Sequence, residues 1–255
     1  AEMYMKMIKL FFVSVLVVSV SACSSVHEWW DSSKEQTTPT EFTAAQLYQG
    51  GEAAMQRGSY STAIEFYEAV EANYPFSEYY ERSLRGLIYA YHQRHDPVST
   101  AAAAERYIRL YPRSEHVDYA YYMKAMANFE PDRGFLARYF TIDESSRDSQ
   151  KMMQSYNDFA VLVRRFPNSQ YTPDAQQRML FLRNLFAEKE LNIAEFYMAQ
   201  DLYVAASNRA SYLLQHYSQS PHAQRALEIL AEANRKLGAT GPADDAQQVL
   251  DKNFA

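Results

Sequence analysis

An all-α solenoid of five antiparallel helix pairs is the fold this chain predicts, on three observations. One short phrase recurs along the chain, at a spacing that suits helix pairs. The apolar residues between its copies fall at helical intervals. Glycine is scarce, with 7 in 255 residues, where ordinary globular usage would give about 7%. Few glycines disfavour turn-dense all-β folds and glycine-rich phosphate loops. The composition, 47% hydrophobic and 22% charged, is that of a chain that buries a core.

The chain opens with a targeting pattern. Lys6 and Lys9 precede an apolar stretch from Leu10 to Ala22. That stretch is shorter than the roughly 20 residues a membrane-spanning helix needs, and it suits the apolar region of a secretory signal. It ends Val20-Ser21-Ala22-Cys23, which matches the bacterial lipobox, and Cys23 is the sole cysteine. Residues 1–22 are therefore expected to be a lipoprotein signal peptide. Cys23 would receive a diacylglycerol on sulfur and an acyl chain on its new amino group, an anchor far firmer than one chain. Ser24 follows the cysteine, and resemblance to enterobacterial lipoproteins then implies sorting to the outer membrane. Residues 23–40 are polar and read as a lipidated flexible tether, with Trp29-Trp30 suited to the headgroup region. Residues 41–255 hold the repeats.

The recurring phrase is Tyr74-Pro75-Phe76-Ser77-Glu78-Tyr79, then Tyr111-Pro112-Arg113-Ser114-Glu115-His116. It returns as Phe166-Pro167-Asn168-Ser169-Gln170-Tyr171 and Tyr217-Ser218-Gln219-Ser220-Pro221-His222, with a truncated copy at Asn253-Phe254. The aromatic residues at 74, 111, 166, 217 and 254 stand 37, 55, 51 and 37 apart. The two gaps of 37 lie near the 34-residue period of tetratricopeptide helix pairs. The Pro or Ser after each aromatic ends the second helix of a pair. Ser77, Ser114, Ser169 and Ser220 are expected to cap the helix that follows. Nine places after each aromatic stands a small residue (Ser83, Ala120, Ala175 or Ala226), read as a point where paired helices approach closely. A second small-residue phrase lies upstream, with Gly58 and Ala63 in the first repeat, Ala206 in the fourth, and Gly238 and Ala243 in the fifth. Ile64, Tyr67, Val70 and Tyr74 keep helical spacing, as do Phe159, Leu162, Val163 and Phe166, and Leu227, Leu230, Asn234 and Leu237. One pair cannot bury its apolar face alone, so neighbours complete the core. Most of the 21 tyrosines are expected to pack between helices with their hydroxyls in water.

The two long gaps require insertions. Residues Phe129 to Asp148 interrupt the third repeat between its helices, with Pro131, Gly134 and a charged run from Asp143. Long ordered loops in repeat proteins usually carry contacts. A second insertion, within roughly Asn184 to Gln200, lacks Gly and Pro and is expected to extend or kink a helix.

Chemistry is sparse. GxGxxG, GxxxxGK[ST], GxSxG and HExxH are absent. A single cysteine excludes a disulfide framework. A net charge of −6 gives no electrostatic case for nucleic acid. His92 and His95 sit three apart without an accompanying ligand pattern, so no metal site is expected. Glu144-Ser145 resembles the acid pair of murein-cleaving transglycosylases, but the surrounding catalytic domain is missing. No catalytic residues and no cofactor beyond the acyl chains on Cys23 are expected. From spacing alone, Arg82, Arg85, Tyr89 and His92 share one face of the second repeat's first helix. That face is expected to contact substrate.

With these residues in view, the chain resembles the BamD family, tetratricopeptide lipoproteins of the outer-membrane β-barrel assembly machinery. The phrases that carry the resemblance are Tyr74-Pro75-Phe76, Leu87-Ile88-Tyr89-Ala90-Tyr91, Arg106-Tyr107-Ile108-Arg109-Leu110 and Asp118-Tyr119-Ala120-Tyr121-Tyr122-Met123. Phe166-Pro167-Asn168-Ser169-Gln170-Tyr171, Ala194-Glu195-Phe196-Tyr197 and, in the insertion, Tyr139-Phe140-Thr141-Ile142-Asp143 with Arg147-Asp148 extend it. The resemblance implies a non-enzymatic scaffold, lipid-anchored on the periplasmic face of the outer membrane. It implies a C-terminal half, about 171–255, that docks on a POTRA domain of the barrel-forming subunit, with Arg209 and the neighbouring Asn208 at the contact. It implies an N-terminal half, about 41–170, that receives unfolded outer-membrane proteins and accessory assembly lipoproteins. A groove of tyrosine and arginine would suit the aromatic ring and terminal carboxylate of their C-terminal signals. Contacts from the insertion would come from Tyr139, Phe140, Asp143 and Arg147. The alternative readings are a tetratricopeptide lipoprotein that organises peptidoglycan or envelope division, and a murein-cleaving enzyme.

Overall fold

The computed structural model describes residues 42–129 and 146–254, without the side chains of 146–148. Among them lie ten helices: α1 (Ala44–Gln56), α2 (Tyr60–Asn73), α3 (Glu78–Gln93), α4 (Pro97–Leu110), α5 (Val117–Ala127), α6 (Ser146–Arg165), α7 (Thr172–Ala199), α8 (Tyr203–Tyr217), α9 (Ala223–Lys236) and α10 (Thr240–Asn253). The chain divides into a short unit, Ala1–Gln46, and a unit from Leu47 to Ala255. In the described part of the first, the Thr43 amide donates to Gln46 Oε1 at 2.9 Å and the Gln46 amide donates to Thr43 Oγ1 at 3.3 Å. This is a capping box at the start of α1. In the second unit the helices from α2 to α10 stack in sequence order, each against its successor, as the repeat phrases require.

Within a pair, one turn geometry recurs. Gly58 and Gly238 stand at φ 71° and 74°, and His95 and Asp201 at 54° and 57°. Each of these four amides donates to the carbonyl three residues back, and the next amide to the carbonyl five residues back. Such Schellman ends need a left-handed residue, and His and Asp are among the side chains that tolerate it. His95 thus serves the turn, and no group of three metal-ligating side chains occurs among the described residues.

Of the small residues expected where paired helices approach closely, those within helices behave as expected, whereas Gly58 and Gly238 meet no neighbour and serve the turns instead. Ser83, Ala120, Ala175 and Ala226 are fully buried, as are Ala63, Ala206 and Ala243. The tightest crossing surrounds Tyr67 of α2. A Cβ on Gly51 would come 2.4 Å from its ring, and one on Gly86 would come 2.5 Å from the ring's other edge.

Two expectations fail in detail. The serines are weak caps. Ser77 Oγ donates back to the Tyr74 carbonyl at 2.9 Å, and Ser220 is buried with no partner for its hydroxyl among the described residues. Ser114 and Ser169 accept the amides of His116 and Tyr171, two residues on. Both sit three residues ahead of α5 and α7, too early to reach the helix amides. Several of the tyrosine hydroxyls, in turn, are bonded within the protein. Those of Tyr67, Tyr80, Tyr91, Tyr107 and Tyr122 donate to Glu52, Glu71, Glu68, Glu81 and Asp174 on neighbouring helices. The helices pack so closely that a phenol reaching across meets the next helix, and a buried donor requires an acceptor.

Both insertions lie where the spacing put them. The first falls between α5 and α6, but α6 begins at Ser146, so Ser146 to Asp148 belong to the helix. The second extends a helix: α7 runs unbroken for 28 residues. Across the first insertion, Lys124 Nζ on α5 pairs with Glu105 of α4 at 3.0 Å and Asp158 of α6 at 3.5 Å. Burial pulls the Lys124 ammonium down, and the two carboxylates outweigh it and hold it above its ordinary value.

Two substitutions separate conformation from crowding. Gly58→Ala meets no neighbour and should cost about 1–2 kcal/mol from the left-handed backbone alone. Gly51→Val must displace Tyr67 and should cost about 1–3 kcal/mol. Urea unfolding checks both, and unchanged midpoints would refute the two assignments.

Candidate functional site

Helix α3 carries opposed faces. Leu84, Leu87 and Ile88 are fully buried, which turns Arg82, Arg85 and Tyr89 outward at intervals of three and four. Two adjoining cavities meet at these arginines. The larger, about 730 Å³, is polar, with Glu81, Ser114 and Glu115 in its wall. The other, about 450 Å³, has Tyr89, Tyr119 and Tyr171 in its wall, with Gly86. Tyr48, Arg82, Arg85 and His116 line both. The recess therefore draws on α1, α3, α5 and the turns before α5 and α7.

The aromatic side holds two groups of ring contacts. Tyr48 lies 5.5 Å from Tyr79, and Tyr119 lies 5.9 Å from Tyr171, which stacks on Tyr122 at 4.8 Å. Burial pushes the phenols of Tyr48 and Tyr119 up, and so they stay neutral donors. On the polar side, Glu81 accepts from Tyr107 at 2.7 Å and from Ser114 at 2.6 Å. Burial pushes its carboxyl up, but these bonds, with Arg85 and His116 nearby, outweigh it and hold it below the ordinary glutamate value. Arg82 and Arg85 form no ion pair with a described residue. Two guanidinium forks above a tyrosine floor can grip a carboxylate bidentately and stack an aromatic ring.

Three of the four groove candidates thus come together, Arg82, Arg85 and Tyr89. His92, a turn further along α3, is not among the residues that line these cavities. Tyr48, His116, Tyr119 and Tyr171 are the residues that spacing on one helix missed. A signal was available: Tyr79, His116, Tyr171 and His222 all stand five places after the repeat aromatic.

At the other end, Asn208 and Arg209 lie on α8, Asn208 exposed and Arg209 paired with Glu190 of α7 at 3.0 Å. Cys23, the tether with Trp29-Trp30, and Tyr139, Phe140 and Asp143 lie outside the described residues, as does the side chain of Arg147. Among the described residues no helix is long and apolar enough to cross a membrane.

Residues 40–250 match the family YfiO, described as outer membrane lipoprotein. The chain is 38% identical to the outer membrane protein assembly factor BamD of Vibrio cholerae serotype O1, over 82% of this chain and 87% of that one. It is 32% identical to the protein of that name from Xylella fastidiosa (strain Temecula1), over 94% and 81%. The same identity holds for that of Neisseria meningitidis serogroup A, over 96% and 91%.

The depressed Glu81 carboxyl makes part of the stability pH-dependent. Its contribution is complete above the ordinary glutamate value, about 4.3, and is lost as pH falls through the lower folded value. Glu81→Gln should therefore lower the urea midpoint at pH 7 and bring it close to wild type by pH 3. An equal deficit at both pH values would contradict this.

Proposed function

The chain belongs to the outer-membrane lipoprotein family of BamD assembly factors, and from that premise we propose that it works in outer-membrane protein assembly as a lipid-anchored scaffold with two separate binding faces. Like its family, it is a scaffold and not an enzyme. Cys23 would carry the acyl chains that hold it to the periplasmic face of the outer membrane. The C-terminal repeats, through Asn208 and Arg209, would dock on a POTRA domain of the barrel-forming subunit. The N-terminal repeats would receive unfolded outer-membrane proteins and contact accessory lipoproteins, the insertion residues Tyr139, Phe140, Asp143 and Arg147 adding contacts.

One observation carries the client-binding part of this reading. Arg82 and Arg85 form no ion pair among the described residues, where the polar and the tyrosine-lined cavities meet. Elsewhere in the stack Arg106 holds Glu71 and Arg178 holds Asp174. Guanidinium groups outside any ion pair, beside half-buried tyrosines and the exposed Tyr89, suit a ligand that supplies both an anion and an aromatic ring. An unfolded barrel strand that ends in an aromatic residue supplies both. Free energy for insertion would come from barrel folding itself, with this chain lending position.

The test is a titration of the protein with a peptide that copies the C-terminal strand of an outer-membrane barrel. Arg82→Glu with Arg85→Glu should weaken binding about tenfold or more, and His92→Ala should leave it unchanged. Equal affinity of the double variant and wild type would overturn the client-binding assignment.

A further inference from the structure

The segment that lengthens α7 places Glu190 opposite Arg209 of α8. The Glu190 side chain is 15% exposed and that of Arg209 is 43% exposed. Nη1 of Arg209 donates to Oε2 of Glu190 at 3.0 Å, and no other described residue accepts from this guanidinium. An arginine carries five N–H donors in one rigid plane, so most of the fork remains available. Beside it on α8, Val204, Asn208 and Tyr212 recur every four residues and form one stripe. Val204 is 60% exposed and Tyr212 41%, and Leu202, just before the helix, is 51% exposed. Exposed apolar surface gathered in one place marks an interaction site more often than scattered residues do.

The geometry points to Glu190 as the positioning residue of the docking face: it holds Arg209 in one orientation beside the Val204–Tyr212 stripe, ready for a partner surface that presents a carboxylate within an apolar patch. The inference rests on the POTRA-docking reading above. A long arginine side chain has much rotamer freedom to lose on binding. A nearly buried carboxylate that already fixes one arm removes most of that loss before the partner arrives. Glu190 is also kept in place by its own need, since an unpaired carboxylate at that depth would be costly. The fit is directional. The held arm faces α7, and the remaining donors can meet an incoming carboxylate through two parallel bonds. The second insertion thereby acquires a purpose, because without the added length of α7 no carboxylate would stand there.

A double-mutant cycle tests this, with the soluble POTRA array of the barrel-forming subunit titrated against the full lipidated chain in detergent. Arg209→Ala should weaken binding about tenfold. Glu190→Gln should weaken it about fivefold in the wild-type background and not at all in the Arg209→Ala background. Glu190→Asp, which keeps the charge and shortens its reach, should fall between wild type and Glu190→Gln. Far-UV circular dichroism confirms that each variant is folded, and Glu190→Asp carries the cycle if Glu190→Gln is not. Unchanged or tighter binding by Glu190→Gln would overturn the positioning role. So would an equal loss in the Arg209→Ala background, because the residue would then act through the fold. No effect of Arg209→Ala itself would overturn the docking reading, and the inference with it.

Discussion

The stack depends on adjacent helices coming so near that only glycine, alanine or serine fits at their crossings. Tyr67 shows the consequence most sharply, with its ring held between Gly51 of α1 and Gly86 of α3. An aromatic ring in so narrow a space fills it completely, but its hydroxyl leaves water and must be given an acceptor. The chain answers with acids on the adjoining helix, at Glu52, Glu68, Glu71, Glu81 and Asp174. Hydrogen bonds to charged acceptors contribute about 1.5–3 kcal/mol each. The abundance of tyrosine and the half-buried acids are therefore one design, and neither makes sense without the small residues at the crossings.

The recess grows from the same arrangement. Four of the marker aromatics are followed five places on by an aromatic or histidine, and two of these, His116 and Tyr171, meet in the wall of the tyrosine-lined cavity. There α3 adds Tyr89 and two guanidinium groups. Glu81 shows how scaffold and site share residues, since its carboxylate accepts from Ser114 and Tyr107 inside the stack while it lines the polar cavity. The far end of the molecule is built differently. There the apolar stripe of α8 faces outward and its arginine is held from the side by α7.

Repetition made the fold readable. The marker aromatic and the small residue nine places on are local features that recur, so a spacing of 37 exposes them without knowledge of the packing, whereas the left-handed turns at Gly58 and Gly238 emerge only from the backbone. The insertions were readable as surplus length, and the absence of Gly and Pro within one of them foretold the long α7. The tyrosine hydroxyls were not readable, because Tyr107 and Glu81 stand 26 residues apart and only the stacking of α3 on α4 brings them together. The site was readable along one helix, where periodicity applies, and hidden across helices. That is why spacing along α3 gathers Arg82, Arg85 and Tyr89, whereas Tyr48, Tyr119 and Tyr171 join them only through the packing of other helices.

Lys124 joins helices on either side of the first insertion, and this has a bearing on how the molecule comes apart. A linear array whose units touch only their neighbours tends to fray and melt in blocks, and an interruption of the chain is where a block boundary would form. An ammonium clasped by Glu105 on one side and Asp158 on the other spans that boundary. Loss of the first half would leave Asp158, only 10% exposed, without the ammonium it faces. The pair thereby opposes a parting of the array at that seam.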